Sequence, residues 1–227
     1  TSKAAAMPGV LRVVTADDVP GERFIGLIRQ DWPLMIAVGE ETRYIGDVLA
    51  GVVAETEAQA RAAVERIHVE YEVLAPITDP HAALLSTSPP IHPAGNLLSK
   101  TAVRRGDLEG AEARTAHVAH GIYQTQMIEH GYMEPECAVG VPATHPAARH
   151  SLNGDAALAE GVVVHVLSQS QGVYEDQVQI AKLLGLPLEQ VRVTLVPNGG
   201  GFGGKEDLSV AGVEAIEEAV ATDIDGE

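Results

Sequence analysis

A cluster of glycines has the composition of a loop that contacts a bound molecule. Five of the six residues from 199 to 204 are glycine, and the exception is Phe202. Because glycine has no side chain, the backbone of such a loop can approach another molecule closely and can direct N–H groups at an anion. An aromatic residue among these glycines is best explained if it packs against a partner. A merely flexible turn is therefore the weaker interpretation.

The loop also matches two nucleotide-binding patterns in a formal sense. Gly199, Gly201 and Gly204 fit G-x-G-x-x-G, and residues 199–205 fit the phosphate-loop pattern G-x-x-x-x-G-K. The first pattern requires an acidic residue at the end of a second strand about 20 positions later, and the aspartates at that distance lie in a polar tail. The second requires Ser or Thr after the lysine to bind magnesium, and Glu206 stands there instead. A nucleotide-binding α/β protein therefore stays open as a weaker alternative.

Strands and helices precede this loop and must position it. Short apolar or alternating runs predict strands at residues 10–15, 47–54, 68–73, 117–127, 162–168 and 191–196. Thr56, with Gln59 three positions later, has the pattern of a capping box that begins a helix. Further helices are predicted at residues 174–184, where Gly185 ends the element, and at residues 208–219.

This mixture of elements predicts a mixed α/β, or α+β, fold class with two domains. A compact α/β domain is expected over residues 1–84 and a second domain over residues 107–227. Residues 85–106 are rich in Pro and Ser and have the composition of a linker. Residues 143–160 are predicted to form a loop.

Charge and cysteine content exclude several classes of function. The 15 basic and 32 acidic side chains give a net charge of −17, which would repel nucleic acid and anionic membranes. No apolar run approaches the roughly 18 residues of a membrane span. The single cysteine excludes an internal disulfide framework, a cysteine zinc site and an iron–sulfur cluster held by this chain alone. A reducing, cytoplasmic location is the expected setting.

The glycine loop resembles the signature of the molybdenum hydroxylases, the xanthine dehydrogenase and aldehyde oxidase family. The residues concerned are 199–206, Gly-Gly-Gly-Phe-Gly-Gly-Lys-Glu. The other segments that resemble the family, in the same order along the chain, are residues 44–50, 55–66, 69–72, 105–107, 129–136, 168–171 and 181–187. The resemblance implies a small hammerhead α/β domain over residues 1–84, followed by the first part of a molybdopterin-binding domain.

The resemblance also implies site residues. Gln171 would lie beside the molybdenum, with its amide bonding an oxygen ligand of the metal. Gly201, Phe202 and Gly203 would meet the cofactor through their backbone, and no residue of this chain would ligate the metal directly. Glu206 would hydrogen-bond the substrate ring, as in the purine-oxidising members that residues 172–177 and 205–207 resemble most. Gln171 and Phe202 must then lie on one wall of a cleft.

The implied activity is hydroxylation of a purine, another N-heterocycle or an aldehyde with oxygen from water. The implied cofactor is molybdenum-molybdopterin, with a dinucleotide form included. The resemblance ends near Val210, so the base glutamate is expected outside this chain and no catalytic residue within it. FAD and [2Fe-2S] are expected on partner chains or domains, together with the C-terminal molybdopterin half. A truncated relative that acts as a non-catalytic binding or assembly module is the further alternative.

Overall fold

The computed structural model describes residues 1–145, 148 and 160–206. Contacts divide the chain into two compact units, of which one joins residues 1–69 to the chain from His130 onward. The other unit is residues 70–129. The domain boundaries expected from the sequence, at 84 and 107, stay a prediction. The helix predicted at 208–219 lies outside the described residues, as does most of the loop at 143–160.

The strands of the described residues are short and lie in the first unit. They are β1 (Val10–Val14), β2 (Phe24–Ile25), β3 (Trp32–Pro33), β4 (Gly51–Ala54), β5 (Ala138–Pro142), β6 (Val164–Ser168) and β7 (Val191–Leu195). Strands β1 and β4 pair antiparallel, as do β2 and β3. The third sheet has the order β5-β6-β7, with β5 antiparallel and β7 parallel to the central strand.

Helices occur in both units. The α-helices are α1 (Ser2–Ala5), α2 (Glu57–Val64), α3 (Pro80–Ala83), α4 (Leu108–Arg114) and α5 (Val173–Leu184). Two short 3-10 helices lie at Ala16–Asp18 and Leu188–Gln190. The mixed α/β class predicted from the sequence is confirmed. None of the helices in the described part of the chain has the length and apolar character needed to cross a membrane.

A small cluster forms where β1 and β4 pack with α1 and α2. The Thr56 hydroxyl accepts a hydrogen bond from the Gln59 N–H at 3.3 Å, so the predicted N-cap of α2 is confirmed. The same hydroxyl donates to Gln59 Oε1 at 2.7 Å, which fixes the first turn further. The apolar residues that this cluster buries are Ala4, Val52 and Ala63.

The main core lies between the three-stranded sheet and α5. Because β6 and β7 are parallel, the chain must cross over between them, and α5 is that crossover. Val166 in β6 and Ile180 and Leu183 in α5 are completely buried. Gly185 ends the helix with φ +65°, a left-handed conformation that glycine adopts without a steric penalty, as predicted.

The chain near residue 21 completes the C-terminal end of α5. Gly21 N–H donates to Leu183 O at 2.8 Å, and Glu22 N–H donates to Lys182 O at 2.9 Å. These carbonyls belong to the last turn, whose C=O groups lack partners further along the helix. A β-carbon at Gly21 would stand 2.0 Å from Lys182 O, so only glycine allows this approach.

Two strand predictions were wrong. Residues 68–73 and 117–127 alternate apolar and polar side chains, but both are irregular in the structure. Neither segment pairs with a strand among the described residues, and Val73 and Ile122 are 88% and 99% exposed. Alternation shows which side chains could share a face, but a strand also needs a neighbour for its N–H and C=O groups.

A third strand is shorter than predicted. Only Gly51–Ala54 of residues 47–54 forms β4. The Asp47 carboxylate accepts hydrogen bonds from the Arg43 and Tyr44 N–H groups, which closes a turn before the strand begins. Side-chain bonding of this kind competes with a strand ladder. Strand β5 and helices α3 and α4 were not predicted, although Asp79 and Asp107 cap α3 and α4.

The second unit is held by side-chain bonds to its backbone. Asn96 Oδ1 accepts from the Ile91 N–H at 2.6 Å, and Asn96 Nδ2 donates to Ala83 O at 2.8 Å and to Pro89 O at 3.0 Å. The residues between 84 and 107 contain no helix or strand, as the linker composition predicted.

A buried histidine lies on the central strand of the main core. His165 is 1% exposed, and its Nδ1 donates to Ala148 O at 2.7 Å because a carbonyl can only accept. Its Nε2 lies 2.8 Å from the Thr194 hydroxyl, which can donate to a neutral ring or accept from a protonated one. Burial lowers the pKa of His165, the Ala148 carbonyl opposes that shift, and the Arg192 charge adds to it.

From the lowered pKa of His165 we predict that the protein loses stability in mild acid. In the unfolded chain a histidine has a pKa of about 6.5. Below that pH the unfolded state binds a proton that the native ring resists, so the free energy of unfolding falls until the native pKa is reached. The slope for one proton is at most about 1.4 kcal/mol per pH unit. Urea unfolding between pH 7.5 and 5.5 should show this fall in the wild type and a smaller one in His165→Gln. The exposed His117, changed to Gln, is the control. An unchanged pH dependence in His165→Gln would contradict the prediction.

Candidate functional site

Three segments of the first unit meet beside the carboxyl ends of β6 and β7. They are residues 130–134, 168–172 and 197–206. Backbone hydrogen bonds join them: Met133 N–H donates to Gly199 O at 3.2 Å, and Gln171 N–H donates to Lys205 O at 2.7 Å. In sheets with parallel strands, this edge is where ligands commonly bind. The glycine loop therefore lies at the edge of the sheet where a ligand would be expected to bind.

The side-chain amide of Gln171 is bonded to the glycine loop. Its Oε1 accepts from the Gly203 N–H at 2.9 Å and from the Lys205 N–H at 3.3 Å. Its Nε2 has no hydrogen-bond partner among the described residues, and the residue is exposed. The amide is thus oriented by its acceptor end, while its donor end is available to a bound molecule.

The backbone of Phe202 has an unfavourable conformation that the rest of the loop must stabilise. Phe202 has φ +54°, and it is the one residue other than glycine in the described chain with a positive φ. A bulky residue in that region costs about 1–3 kcal/mol, so the surrounding bonds must hold it. The Gly204 N–H donates to Gly201 O at 2.8 Å and closes the turn around Phe202. The side chain is 73% exposed, so its predicted packing partner is not among the described residues.

Two glycines of the loop lie against side chains of the neighbouring segments. A β-carbon at Gly201 would stand 2.2 Å from Gln171 Oε1, and one at Gly204 would stand 2.9 Å from the His130 ring. Gly203 is different, because a β-carbon there would meet nothing within 4 Å. Its φ of +87° still disfavours other residues. The backbone at Gly203 is therefore open to approach, and the backbone at Gly201 lies against Gln171.

Lys205 is a part of the site that sequence reasoning missed. Its side chain is completely buried, its Nζ donates to Asn198 O, and Nζ lies 4.5 Å from the centre of the Tyr132 ring. A lysine between glycine and glutamate is normally exposed, so no signal in the sequence indicates burial. Because its ammonium group is buried, it is not available to a phosphate in the way that a phosphate-loop lysine must be.

Gln169 and Glu134 form a second link between the segments, which the sequence did not predict. Gln169 Nε2 donates to Glu134 Oε2 and to Pro197 O, both at 3.0 Å. This amide therefore joins all three segments. Glu134 thus links its segment to the residues after β6 through the Gln169 amide.

Serine hydroxyls fix the turn that presents Gln171. Ser168 Oγ donates to Asp176 Oδ2 at 3.2 Å and accepts from the Ser170 N–H at 3.1 Å. Ser170 Oγ in turn accepts from the Gly172 N–H at 2.8 Å. The turn is thereby connected to the first part of α5, which lies in the main core. A movement of Gln171 would have to break these buried bonds.

Glu206 is exposed and directly follows the buried Lys205. The residues after it, with the helix predicted at 208–219, lie outside the described part of the chain, and the substrate role of Glu206 stays a prediction. Within residues 1–145, 148 and 160–206, no three His, Cys, Asp or Glu side chains are grouped so as to hold a metal ion.

Comparison with known proteins gives the family. The profile of the molybdopterin cofactor-binding domain matches residues 91–224. The profile of the aldehyde oxidase and xanthine dehydrogenase a/b hammerhead domain matches residues 1–75. The chain therefore belongs to the molybdenum hydroxylases, the family of xanthine dehydrogenases and aldehyde oxidases, as the sequence motifs predicted.

Individual relatives agree with this assignment. The chain is 34% identical to a probable xanthine dehydrogenase subunit of Bacillus subtilis, over 95% of this chain and 27% of that protein. It is 32% identical to the nicotinate dehydrogenase large molybdopterin subunit of Eubacterium barkeri, over 92% and 45%. The aldehyde oxidoreductase of Desulfovibrio gigas has the same fold, with a TM-score of 0.78 at 27% identity, over 97% of this chain and 24% of that one. The chain thus spans less than half the length of these relatives.

The hydrogen bonds of Gln171 can be tested by amide hydrogen exchange. Gln171→Ala removes the acceptor of the Gly203 and Lys205 N–H groups, and each lost bond costs about 1 kcal/mol. We expect local exchange at these two amides to rise about tenfold or more. Gln171→Glu keeps an acceptor oxygen and should keep them protected. Gln177→Ala, which removes the bond from the middle of α5 to Val191 O at the start of β7, is the matched control. Equal exchange in Gln171→Ala and wild type would contradict the observed bonding.

Proposed function

We propose that this chain is part of the molybdopterin-binding portion of a xanthine dehydrogenase-like hydroxylase. The observation that carries the proposal is the Gln171 amide, which is fixed to the glycine loop by Oε1 and has Nε2 available. An amide that donates without ligating fits a group placed beside a metal's oxygen ligand. The reaction is the oxidation of a purine, another N-heterocycle or an aldehyde with oxygen from water.

The residues present fit a bound molybdenum cofactor. The open backbone at Gly203 permits close approach, and the Gly201 and Phe202 N–H groups have no hydrogen-bond partner among the described residues. Such donors suit an electronegative group that approaches the loop. Gln171, Gly201, Phe202 and Gly203 would therefore hold the cofactor. When bound, the cofactor supplies the two-electron oxidation, and the pterin can be a dinucleotide form.

The substrate classes follow from the relatives and from Glu206. The relatives named above are described as xanthine dehydrogenase, nicotinate dehydrogenase and aldehyde oxidoreductase, which are purine, N-heterocycle and aldehyde classes. An exposed carboxylate next to the loop can accept hydrogen bonds from ring N–H groups. We therefore assign Glu206 to substrate binding.

Other parts of the enzyme would complete the reaction. A [2Fe-2S] cluster normally requires four cysteine ligands, and this chain has one, so the iron–sulfur and flavin groups belong to partner chains or domains. The base glutamate and the remaining pterin contacts would come from a C-terminal molybdopterin half. The single cysteine also supports a cytoplasmic location. A non-catalytic binding module and a nucleotide-binding protein are the alternatives that the experiments must separate.

Metal content tests the proposal. The protein that contains this chain, purified with its partners from molybdenum-sufficient medium, should hold about one molybdenum per chain by elemental analysis. Titration with ATP and with NAD should show no binding to this chain, since the Lys205 ammonium is buried. Absence of molybdenum would leave the binding-module alternative, and tight nucleotide binding would favour the phosphate-loop alternative.

Glu206→Gln tests the substrate class. If Glu206 binds the ring, the purine kcat/KM should fall about ten- to a hundredfold, the loss of one charge-assisted hydrogen bond of about 1.5–3 kcal/mol. Oxidation of a simple aldehyde should change much less. Glu189→Gln, an exposed carboxylate in the 3-10 helix before β7, is the matched control. Equal losses on both substrates would remove the purine assignment and leave the molybdenum assignment in place.

A further inference from the structure

Lys205 is a buried cation in a site made mostly of glycine. It is 0% exposed, and none of the ion pairs within the described residues includes it. An ammonium group in this position loses its hydration, and that loss is unfavourable unless other contacts compensate for it. The compensating contacts observed are the Asn198 carbonyl and the face of the Tyr132 ring at 4.5 Å. Both contacts belong to the segments that meet at the site.

Lys205 contacts all three segments of the site. Its side chain reaches Tyr132 in the segment 130–134 and Asn198 at the start of the glycine loop. Its backbone N–H donates to Gln171 Oε1 at 3.3 Å, and its C=O accepts from the Gln171 N–H at 2.7 Å. One residue therefore connects the anchoring segments directly to the Gln171 amide.

The loop between Asn198 and Lys205 needs such an anchor. Glycines lose more conformational freedom than other residues when they become ordered, and this loop contains five of them. Phe202 is also held in the left-handed region. The bond from Lys205 Nζ to Asn198 O closes the loop at its base. With the loop closed, the Gly203 N–H stays directed at Gln171.

We propose that Lys205 is a positioning residue, which holds the Gln171 amide and the backbone of Gly201 and Gly203 in the arrangement that receives the molybdenum cofactor. The proposal rests on the proposed function above. Lys205 would not touch substrate or cofactor. It would act through Gln171 and through the closed loop, with its ammonium group held against Tyr132 and Asn198.

Variants at two positions separate this role from general stability. Lys205→Met keeps most of the side-chain volume and removes the ammonium group. Lys205→Arg keeps a positive charge and donors. Tyr132→Leu removes the ring that faces the ammonium, whereas Tyr132→Phe keeps it. Lys182→Met, at an exposed lysine that donates to Gln30 Oε1, is the matched control for the loss of a lysine.

The experiment uses the enzyme purified with its partners and makes four measurements, of which steady-state kinetics of substrate oxidation is one. Elemental analysis gives the molybdenum content, hydrogen exchange follows the Gly203 and Lys205 amides, and electron paramagnetic resonance of the partly reduced enzyme reports the surroundings of the metal. In Lys205→Met we expect exchange at these amides to rise roughly tenfold while α5 stays protected. We also expect an altered resonance spectrum and a fall in kcat of about tenfold with KM little changed. Lys205→Arg should recover part of each effect.

The tyrosine variants make the same test without changing the lysine. Tyr132→Leu should increase exchange at the Gly203 amide and alter the spectrum in the same direction as Lys205→Met, and Tyr132→Phe should do neither. In the double variant Lys205→Met/Tyr132→Leu, the effects should be less than additive, because each change removes the same contact between the ammonium group and the ring. If Lys205→Met does not fold, the comparison of Tyr132→Leu with Tyr132→Phe decides the question.

The outcomes distinguish this proposal from the one it rests on. A wild-type enzyme without molybdenum overturns the proposed function and this assignment together. A wild-type enzyme with molybdenum, combined with unchanged exchange and spectrum in Lys205→Met and Tyr132→Leu, overturns the assignment of Lys205 alone. Equal loss of protection in α5 and in the loop would show that Lys205 supports the whole fold, and it would also overturn the positioning role.

Discussion

The parallel pairing of β6 with β7 is the constraint on which the site depends. Ser168 lies beside Leu195 at the ends of these strands, so the residues that follow each strand leave the same edge of the sheet. Residues 169–171 and 197–205 are distant in sequence, and this register makes them neighbours. The Val196 N–H extends the pairing by donating to Ser168 O at 2.9 Å. Helix α5 keeps the two strands parallel because it is the crossover between them.

The polar bonds at this edge connect buried groups with exposed ones. Ser168, Ser170 and Asp176 are all buried, and their bonds fix the turn that carries Gln171. Gln169 and Lys205 join neighbouring segments, and the Gln171 amide has its oxygen bonded and its nitrogen available. Buried serine and aspartate groups thus fix the turn, and the exposed amide at its tip is bonded to the Gly203 and Lys205 N–H groups. Functional groups supported in this way keep their geometry with little loss of entropy on binding.

Much of the fold and part of the site could be predicted from the sequence. Helices α2 and α5 carry their own start and stop signals in Thr56 and Gly185, and the structure confirms both. The motif around residues 199–206 indicated the family. Burial of Lys205 could not be predicted, because it depends on a tyrosine ring more than 70 positions earlier in the sequence. The strand predictions at 68–73 and 117–127 were wrong for a related reason, because they too depend on distant residues. Side-chain alternation carries no information about a pairing partner.

The bonds between the chain near residue 21 and the end of α5 have a consequence for how the protein folds. Gly26 N–H also donates to Gln179 Oε1 at 2.9 Å, across 153 positions of sequence. During synthesis the early segment emerges first and must wait for the helix that it will bond. Contacts of such long range raise the contact order and slow the search for the native state. Until α5 has formed, the N–H groups of the early segment bond to water instead.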